Sequence, residues 1–341
     1  MYTLGIDLHK NFTFWSLLDP DGQVLWQKKL ETDLDLAKEE AQKLPKPCQA
    51  VLEPTGCFHL YAEKLKESGV EPHLAHPLEV SLIAKSKNKN DKIDATILAQ
   101  LLRTKFLPEA YLPSKDIKEL RSFIQFRSKI VATKTRAKVR MRMLLNSLNI
   151  KTDITDLFGV KGLKFLESLD LSPLMRIQRD ELTRTVAACN GQLKTINAVI
   201  KAIAERDDDI QRIMTIPTIG PVVATTIKAY VADFKRFSSA DKLAAYAGLV
   251  PSVRQSGDKE THGHITKQGP GMLRWALVQS AAIIRSSHGE LYKFYNRKKV
   301  KIGVKKARIA LAKKLLTISY RVVIDKSEYI DKSKKEEDKT C

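Results

Sequence analysis

The hydrophobic period of this chain changes near residue 117, and that change constrains the fold more than any other feature. Before it, short strand and helix patterns take turns; after it, apolar residues recur every three or four residues over long stretches. Such a chain is expected to build an α/β domain followed by mostly α-helical structure. Its 341 residues are enough for two or three domains, and a hydrophobic content of 43% suits a globular chain rather than a disordered one.

In the first part, "YTLGIDL", "NFTFWSLLD" and "QVLWQKKL" read as strands, with "PDG" as the turn before the third. A helix pattern, "DLDLAKEEAQKL", leads to a short strand, "QAVLEP", that ends at Glu53. "FHLYAEKLKESG" is a helix with a glycine stop, "VEPHLAH" a further strand, and "DKIDATILAQLLRTKF" a helix starting near Asp91. An antiparallel meander followed by crossovers predicts a mixed sheet with helices packed on it, the fourth strand able to lie beside the first.

In the second part, Phe123, Phe126, Ile130, Ala137, Met141, Leu144 and Leu148 step by threes and fours, with Thr133 filling the gap. Leu182, Val186, Cys189, Leu193, Ile196, Ile200 and Ile203 step 4-3-4-3-4-3. Spacing of this kind predicts a coiled coil or two long antiparallel helices, with ordinary bundle helices an equal alternative for the first segment. "IMTIPTIGPVVATTIKAYV" resembles a helix-hairpin-helix element, whose turn aims backbone N–H groups at a phosphate; a plain helix connection is the alternative. "VPSVRQSGDKETHGHITKQGPGMLR" reads as a long functional loop, and the chain ends in basic helices and a charged tail expected to be disordered. The boundaries expected from these patterns give segments 1–115, 116–205, 206–325 and 326–341.

The net charge of +20 is unevenly placed. Residues 1–116 hold 15 Lys and Arg against 17 Asp and Glu, while the other 225 hold 44 against 22. Concentration of charge in one part points to a polyanion, with nucleic acid the first candidate. Residues 118–149 contain nine basic residues and one acid, Glu119, and Arg127, Lys134, Arg136, Lys138, Arg140 and Arg142 look like a phosphate-contacting surface. The cysteines, Cys48, Cys57, Cys189 and Cys341, are scattered with no C-x-x-C pair, which argues against a disulfide framework or zinc site and suits a reducing cytosol. No apolar run reaches the ~18 residues of a membrane span, and no signal-peptide pattern is read at the N-terminus.

Asp7 stands inside an apolar strand, where a buried unpaired carboxylate costs several kcal/mol, on the order of 2–7 for a polar group without a partner. Glu53 closes the fourth strand, and Asp91 and Asp94 share one face of a helix start. Four carboxylates converging at one sheet edge could not all ionise unaided, and Mg²⁺ or Mn²⁺ would resolve the repulsion. Two such ions roughly 3.5–4 Å apart can grip both oxygens of a phosphodiester exchange. Asp91 as a helix N-cap, Asp94 as a first-turn charge and Glu53 as part of a simple turn are the plainer readings.

"GIDLHK", "LEPTG", "KNDKIDA" and "YAGLVPSVRQSG…HITKQGPGMLR" resemble the motifs of DEDD-type insertion-sequence transposases, the group whose relatives choose DNA with a bridge RNA. The resemblance runs over residues 1–290. It implies an N-terminal RuvC-like domain of RNase H fold (1–115), a coiled-coil connector (116–205) and a C-terminal transposase domain (206–325). Position by position it implies Asp7, Glu53, Asp91 and Asp94 as a catalytic, metal-holding quartet and Ser256 as a nucleophile that forms a phosphoserine link to DNA. Gly257 would give close backbone access there, and Arg254 and Lys259 could neutralise phosphate. Ser252 is the runner-up. Lys267 and Arg274 join the expected nucleic-acid contacts. Donor and target DNA, a guide RNA, a homo-oligomer (dimer or tetramer) and a nucleoid-associated place in the bacterial cytoplasm are the partners and location implied. A RuvC-like nuclease using water, a DNA invertase of the same family and a non-catalytic nucleic-acid-binding protein are the rivals. His9 and His59 are read as peripheral.

Overall fold

In a computed structural model, which describes residues 1–83, 91–256 and 259–331 (backbone alone at 253–256 and 259–262), the alternation of the first residues becomes the central strand of a sheet. β1 (Tyr2–Leu8) pairs antiparallel with β2 (Phe12–Leu18), and β2 with β3 (Val24–Glu31). α1 (Leu34–Gln42) carries the chain to β4 (Cys48–Leu52), parallel to β1; α2 (Phe58–Glu67) carries it to β5 (Val70–Leu74), parallel to β4. The strand order β3-β2-β1-β4-β5 makes the mixed sheet that the element order predicts. α3 (Pro77–Ile83) and α4 (Asp91–Arg103) complete a compact unit, Met1–Lys115.

The two faces of β1 do different work. Leu4, Ile6 and Leu8 join Trp15, Leu17 and the inner residues of α1 and α2 in one core. The alternate residues, Thr3, Gly5 and Asp7, face α4, which lies across β1 and β2. Ser16, opposite Gly5, shares a 2.8 Å hydrogen bond with Thr96 of α4. A Cβ at position 5 would strike the backbone carbonyl of Ala95, an atom that cannot swing aside. Gly5 is therefore what lets α4 settle on the strand. Gly5→Ala is expected to lower stability by about 1–3 kcal/mol, the usual range for overpacking. Denaturant unfolding of the full chain measures it; an unchanged midpoint would mean that α4 does not sit on β1.

The second unit, Asp116–Cys341, is built on two long helices, α5 (Lys115–Ser147) and α7 (Pro173–Arg206), with α6 (Val160–Ser168) between them. They run antiparallel: Ile124 packs with Ile196 and Ile200, while Leu144 lies in the cluster that Met175 and Leu182 cover. In α7 the buried stripe Val186, Cys189, Leu193, Ile196 and Ile200 follows the expected spacing, with Ala204 taking the place of Ile203. In α5 the stripe differs. Phe126 is 49% exposed and Leu148 37%, and Ile124 is buried instead. Several neighbours set the buried face of α5, α7 along its length, α6 at one end and Val222 and Met272 beside Ile124, so no single seam runs through it.

α8 (Asp208–Met214), α9 (Pro221–Val231), α10 (Ala240–Tyr246), α11 (Gly271–Ala282) and α12 (Gly289–Ile324) close over a shared core that includes Ile210, Ile227, Leu243, Leu277 and Leu315. Between α10 and α11 the stretch expected as a long loop is a hairpin, β6 (Pro251–Ser256) paired antiparallel with β7 (Lys259–Ile265). With almost no apolar residues it carries no hydrophobic alternation to read; the backbone ladder and its base make it. At that base Gly248 (φ +65°) and Gly269 (φ +82°) turn the chain, and Arg274 donates to the carbonyls of Ala247 and Gln268. The expected terminal basic helices lie within α12 (Gly289–Ile324) and meet at a kink at Gly303, whose φ and ψ are not helical.

Candidate functional site

Asp7 sits one residue from the end of β1, on the α4 side, and is 8% exposed. α4 opens with Asp91 and Asp94 in its first turn, where the helix N-terminus favours negative charge. His9, just past β1, reaches both sides: its Nε2 donates to Asp7 Oδ2 across 3.0 Å and lies 3.6 Å from Asp91 Oδ1. One ligand atom from each of Asp7, His9 and Asp91 lies within 4.8 Å of the others. Burial pushes the Asp7 carboxyl above its ordinary value; His9 opposes this, and the charges of Asp91 and Asp94 add to it.

Glu53 follows Leu52, the residue paired with Ile6, so it comes at the end of the strand beside Asp7. Its turn is tied to β1, because Thr55 Oγ1 donates to the Leu8 carbonyl at 2.7 Å and Thr55 N–H donates to the Glu53 carbonyl at 2.8 Å. Among the described residues, Glu53 and Asp94 are outside the converging triad. His9, set aside as peripheral in the sequence, is inside it. The signal was there: two residues apart on an extended chain, Asp7 and His9 fall on the same face. The imidazole is also well placed, its backbone paired with Phe12 and Thr32 and its ring 4.7 Å from that of Phe12.

A cluster of carboxylates and one imidazole, with a raised Asp7, fits a divalent cation by the chemistry of its donors.

In the second unit, Ser256 ends β6 opposite Lys259. The side chains of Ser256, Arg254 and Lys259 lie outside the described residues, as does Gly257 altogether. Ser252, by contrast, has its hydroxyl donated to the His264 carbonyl at 3.1 Å and fills the space left by Gly263. Lys267 is exposed, at φ +54°. Arg274 is engaged at the hairpin base, and burial lowers its pKa.

On α5, Arg136, Arg140 and Arg142 are exposed; Arg127, Lys134 and Lys138 are half-buried. Several already bind the protein itself. Arg127 donates to Asn197 at 2.8 Å, Lys138 pairs with Asp156 at 3.2 Å, and Arg142 donates to the Thr155 carbonyl. Between α8 and α9 the chain makes a tight connection, with Thr218 at φ +73° and its hydroxyl 2.8 Å from that of buried Ser280. A β-branched residue in the left-handed region is strained, and the Ser280 contacts hold it there.

A family model described as a transposase, and named for the DEDD transposases of IS110, matches residues 4–150. A second, described as the transposase IS116/IS110/IS902 family, matches residues 210–296. The chain belongs to this family of insertion-sequence transposases. Relatives extend over nearly its whole length. The transposase for insertion sequence element IS1111A of Coxiella burnetii is 25% identical over 96% of this chain and 90% of its own. That for IS1328 of Yersinia enterocolitica is 25% identical over 94% and 96%. A pilin gene-inverting protein of Moraxella lacunata is 28% identical over 80% and 79%. This transposase is an enzyme of DNA recombination. Its four acids lie in the first matched segment, and Ser252 and Ser256 in the second. Among its described residues no helix is long and apolar enough to cross a membrane.

Proposed function

We propose that the transposase cuts and rejoins DNA through Ser256, assisted by Mg²⁺ or Mn²⁺ held on Asp7, Glu53, Asp91 and Asp94. The observation that carries this reading is the meeting of Asp7, His9 and Asp91, contributed by β1, the turn after it and α4, with the charge of Asp94 felt at Asp7. A bound divalent cation there supplies charge neutralisation for crowded oxygens and lowers the pKa of a hydroxyl in contact with it. Serine is a weak nucleophile at its own pKa and needs a base or a metal to activate it. The Ser256 hydroxyl attacks the phosphorus of a DNA phosphodiester. An Oγ–P bond forms, a P–O bond to sugar breaks, the serine proton leaves and the departing sugar oxygen takes one up. A free hydroxyl end of a second DNA then attacks the phosphoserine, which restores the diester and frees the serine. Bond energy is kept throughout, so no nucleotide cofactor is needed. The structural engagement of Ser252 supports Ser256 over it.

The first unit acts as the RuvC-like, RNase H-fold half (1–115), residues 116–205 as a coiled-coil connector and 206–325 as the transposase half. The basic residues of α5, with Arg254, Lys267 and Arg274, hold DNA or a guide (bridge) RNA, and the connection between α8 and α9 serves as a helix-hairpin-helix contact to phosphate. The protein works as a homo-oligomer, at the nucleoid of the bacterial cytoplasm. The pilin gene-inverting relative supports a second reading, inversion of a DNA segment by the same chemistry at different sites.

Excision and integration in cells test the reading, with the gene and its native flanks on a donor plasmid. Loss of joined products in both Asp7→Asn and Ser256→Ala supports the two-part site. Continued cutting or rearrangement by Ser256→Ala, with none from Asp7→Asn, would replace the serine with water or with Ser252.

A further inference from the structure

α12 carries a charge pattern that neither the acids nor the serine uses. Residues 291–324 hold eleven Lys and Arg and no Asp or Glu. Within that span, residues 299–306 are exposed on every face, so about two helical turns stand clear of the core. Burial therefore gives this stretch none of the packing that normally stabilises a helix in a protein. Its apolar side chains are open as well: Val300 is 83% exposed, and Ile302 and Val304 are each 41%. The span bends at Gly303 (φ +79°, ψ 165°), a conformation that glycine adopts readily, and among the described residues no atom beyond the adjoining chain lies within 4 Å of where a Cβ would stand. The bend is not forced by a crowding neighbour.

Farther along α12 the charges are engaged, with Lys313 at 2.9 Å from Asp241 and Lys314 4.4 Å from the Phe294 ring. For Lys299, Lys301, Lys305 and Lys306 no ion pair is found among the described residues. A plain solvated helix face has acids interspersed and one side packed; this elbow has neither. It also lies past residue 296, where the second matched segment ends.

We propose that the elbow of α12 around Gly303 is a docking surface for the phosphate backbone of duplex DNA, with Lys299, Lys301, Lys305 and Lys306 as its contacts. Charge complementarity selects a polyanion, and duplex DNA is the polyanion on which a DNA transposase acts. The inference is independent of the metal and serine assignments.

The test is binding of the full chain to a labelled duplex carrying the native flanks, measured by fluorescence anisotropy across a salt series. The variant replaces all four lysines with glutamine. A control loses the same charge from Lys28, Lys38, Lys43 and Lys64, each within 3.2 Å of a glutamate. Each phosphate contact contributes about 0.9 to the slope of log affinity against log salt, so four contacts remove about 3.6. The wild-type advantage over the variant should then shrink about 100-fold between 50 and 200 mM salt, with the control close to wild type. Parallel slopes for wild type and variant would overturn the proposal, as would an equal slope loss in the control. A loss seen with single-stranded RNA while duplex binding is unchanged would also overturn it, in favour of an RNA contact.

Discussion

Asp7→Asn is expected to abolish joined DNA products while leaving the protein at least as stable as wild type when a chelator is present. Asp7 is 8% exposed, and burial and the nearby Asp91 and Asp94 raise its pKa against the opposing effect of His9. A carboxyl with a folded pKa above its ordinary value of 3.8 binds its proton more tightly in the folded state. Stability therefore falls as pH rises from that value through the folded pKa, and the ionised form costs the fold more than the neutral one. Asparagine keeps the shape, removes the charge and can still bond to His9. A divalent cation reverses the comparison. At about 100 times its dissociation constant a ligand of the folded state adds about 2.7 kcal/mol, which Asp7→Asn should largely forfeit. Melting temperatures of both proteins, with chelator and with Mg²⁺ or Mn²⁺, measure this. A variant that unfolds in chelator would make Asp7 a structural residue. A wild type whose melting ignores both ions would sink the metal reading.

Ser256→Ala should eliminate covalent attachment of DNA to the protein, a loss of orders of magnitude, since the alanine has no oxygen to form the ester. Labelled donor DNA mixed with wild type and then denatured should stay with the polypeptide; with Ser256→Ala it should run free. Ser252→Ala should keep the adduct and show only weakened hairpin packing, because its hydroxyl serves the His264 carbonyl. An adduct that survives Ser256→Ala and disappears in Ser252→Ala would exchange the two roles. DNA cleaved by wild type without any adduct would put water in place of serine.

Much of the fold could be read from periodicity because periodicity is local. The alternation in "YTLGIDL" and the 4-3 steps from Val186 to Ile200 each record which side of one element meets a core, and the structure buries those sides. The hairpin of β6 and β7 left no such trace, since it is held by its backbone ladder and by Arg274 rather than by apolar side chains. The buried face of α5 was legible only in part. It answers to several neighbours, and no one-helix pattern says that Ile124 rather than Phe126 turns inward.

For the acidic cluster, the sequence by itself determined the parts: a strand-borne Asp7, an acid closing the fourth strand and an i,i+3 pair opening a helix. It also determined the two-part character of the chain and where its positive charge lies. Whether Asp91 reaches Asp7, 84 residues away, was decided by tertiary structure alone. That meeting depends on α4 lying across β1, which Gly5 permits by offering no side chain to the Ala95 carbonyl. The place of His9 was decided in the same way, by a fixed turn that brings its ring to both carboxylates. So was the open elbow at Gly303, exposed on every face among the described residues, since sequence records neighbours only where burial demands apolar residues.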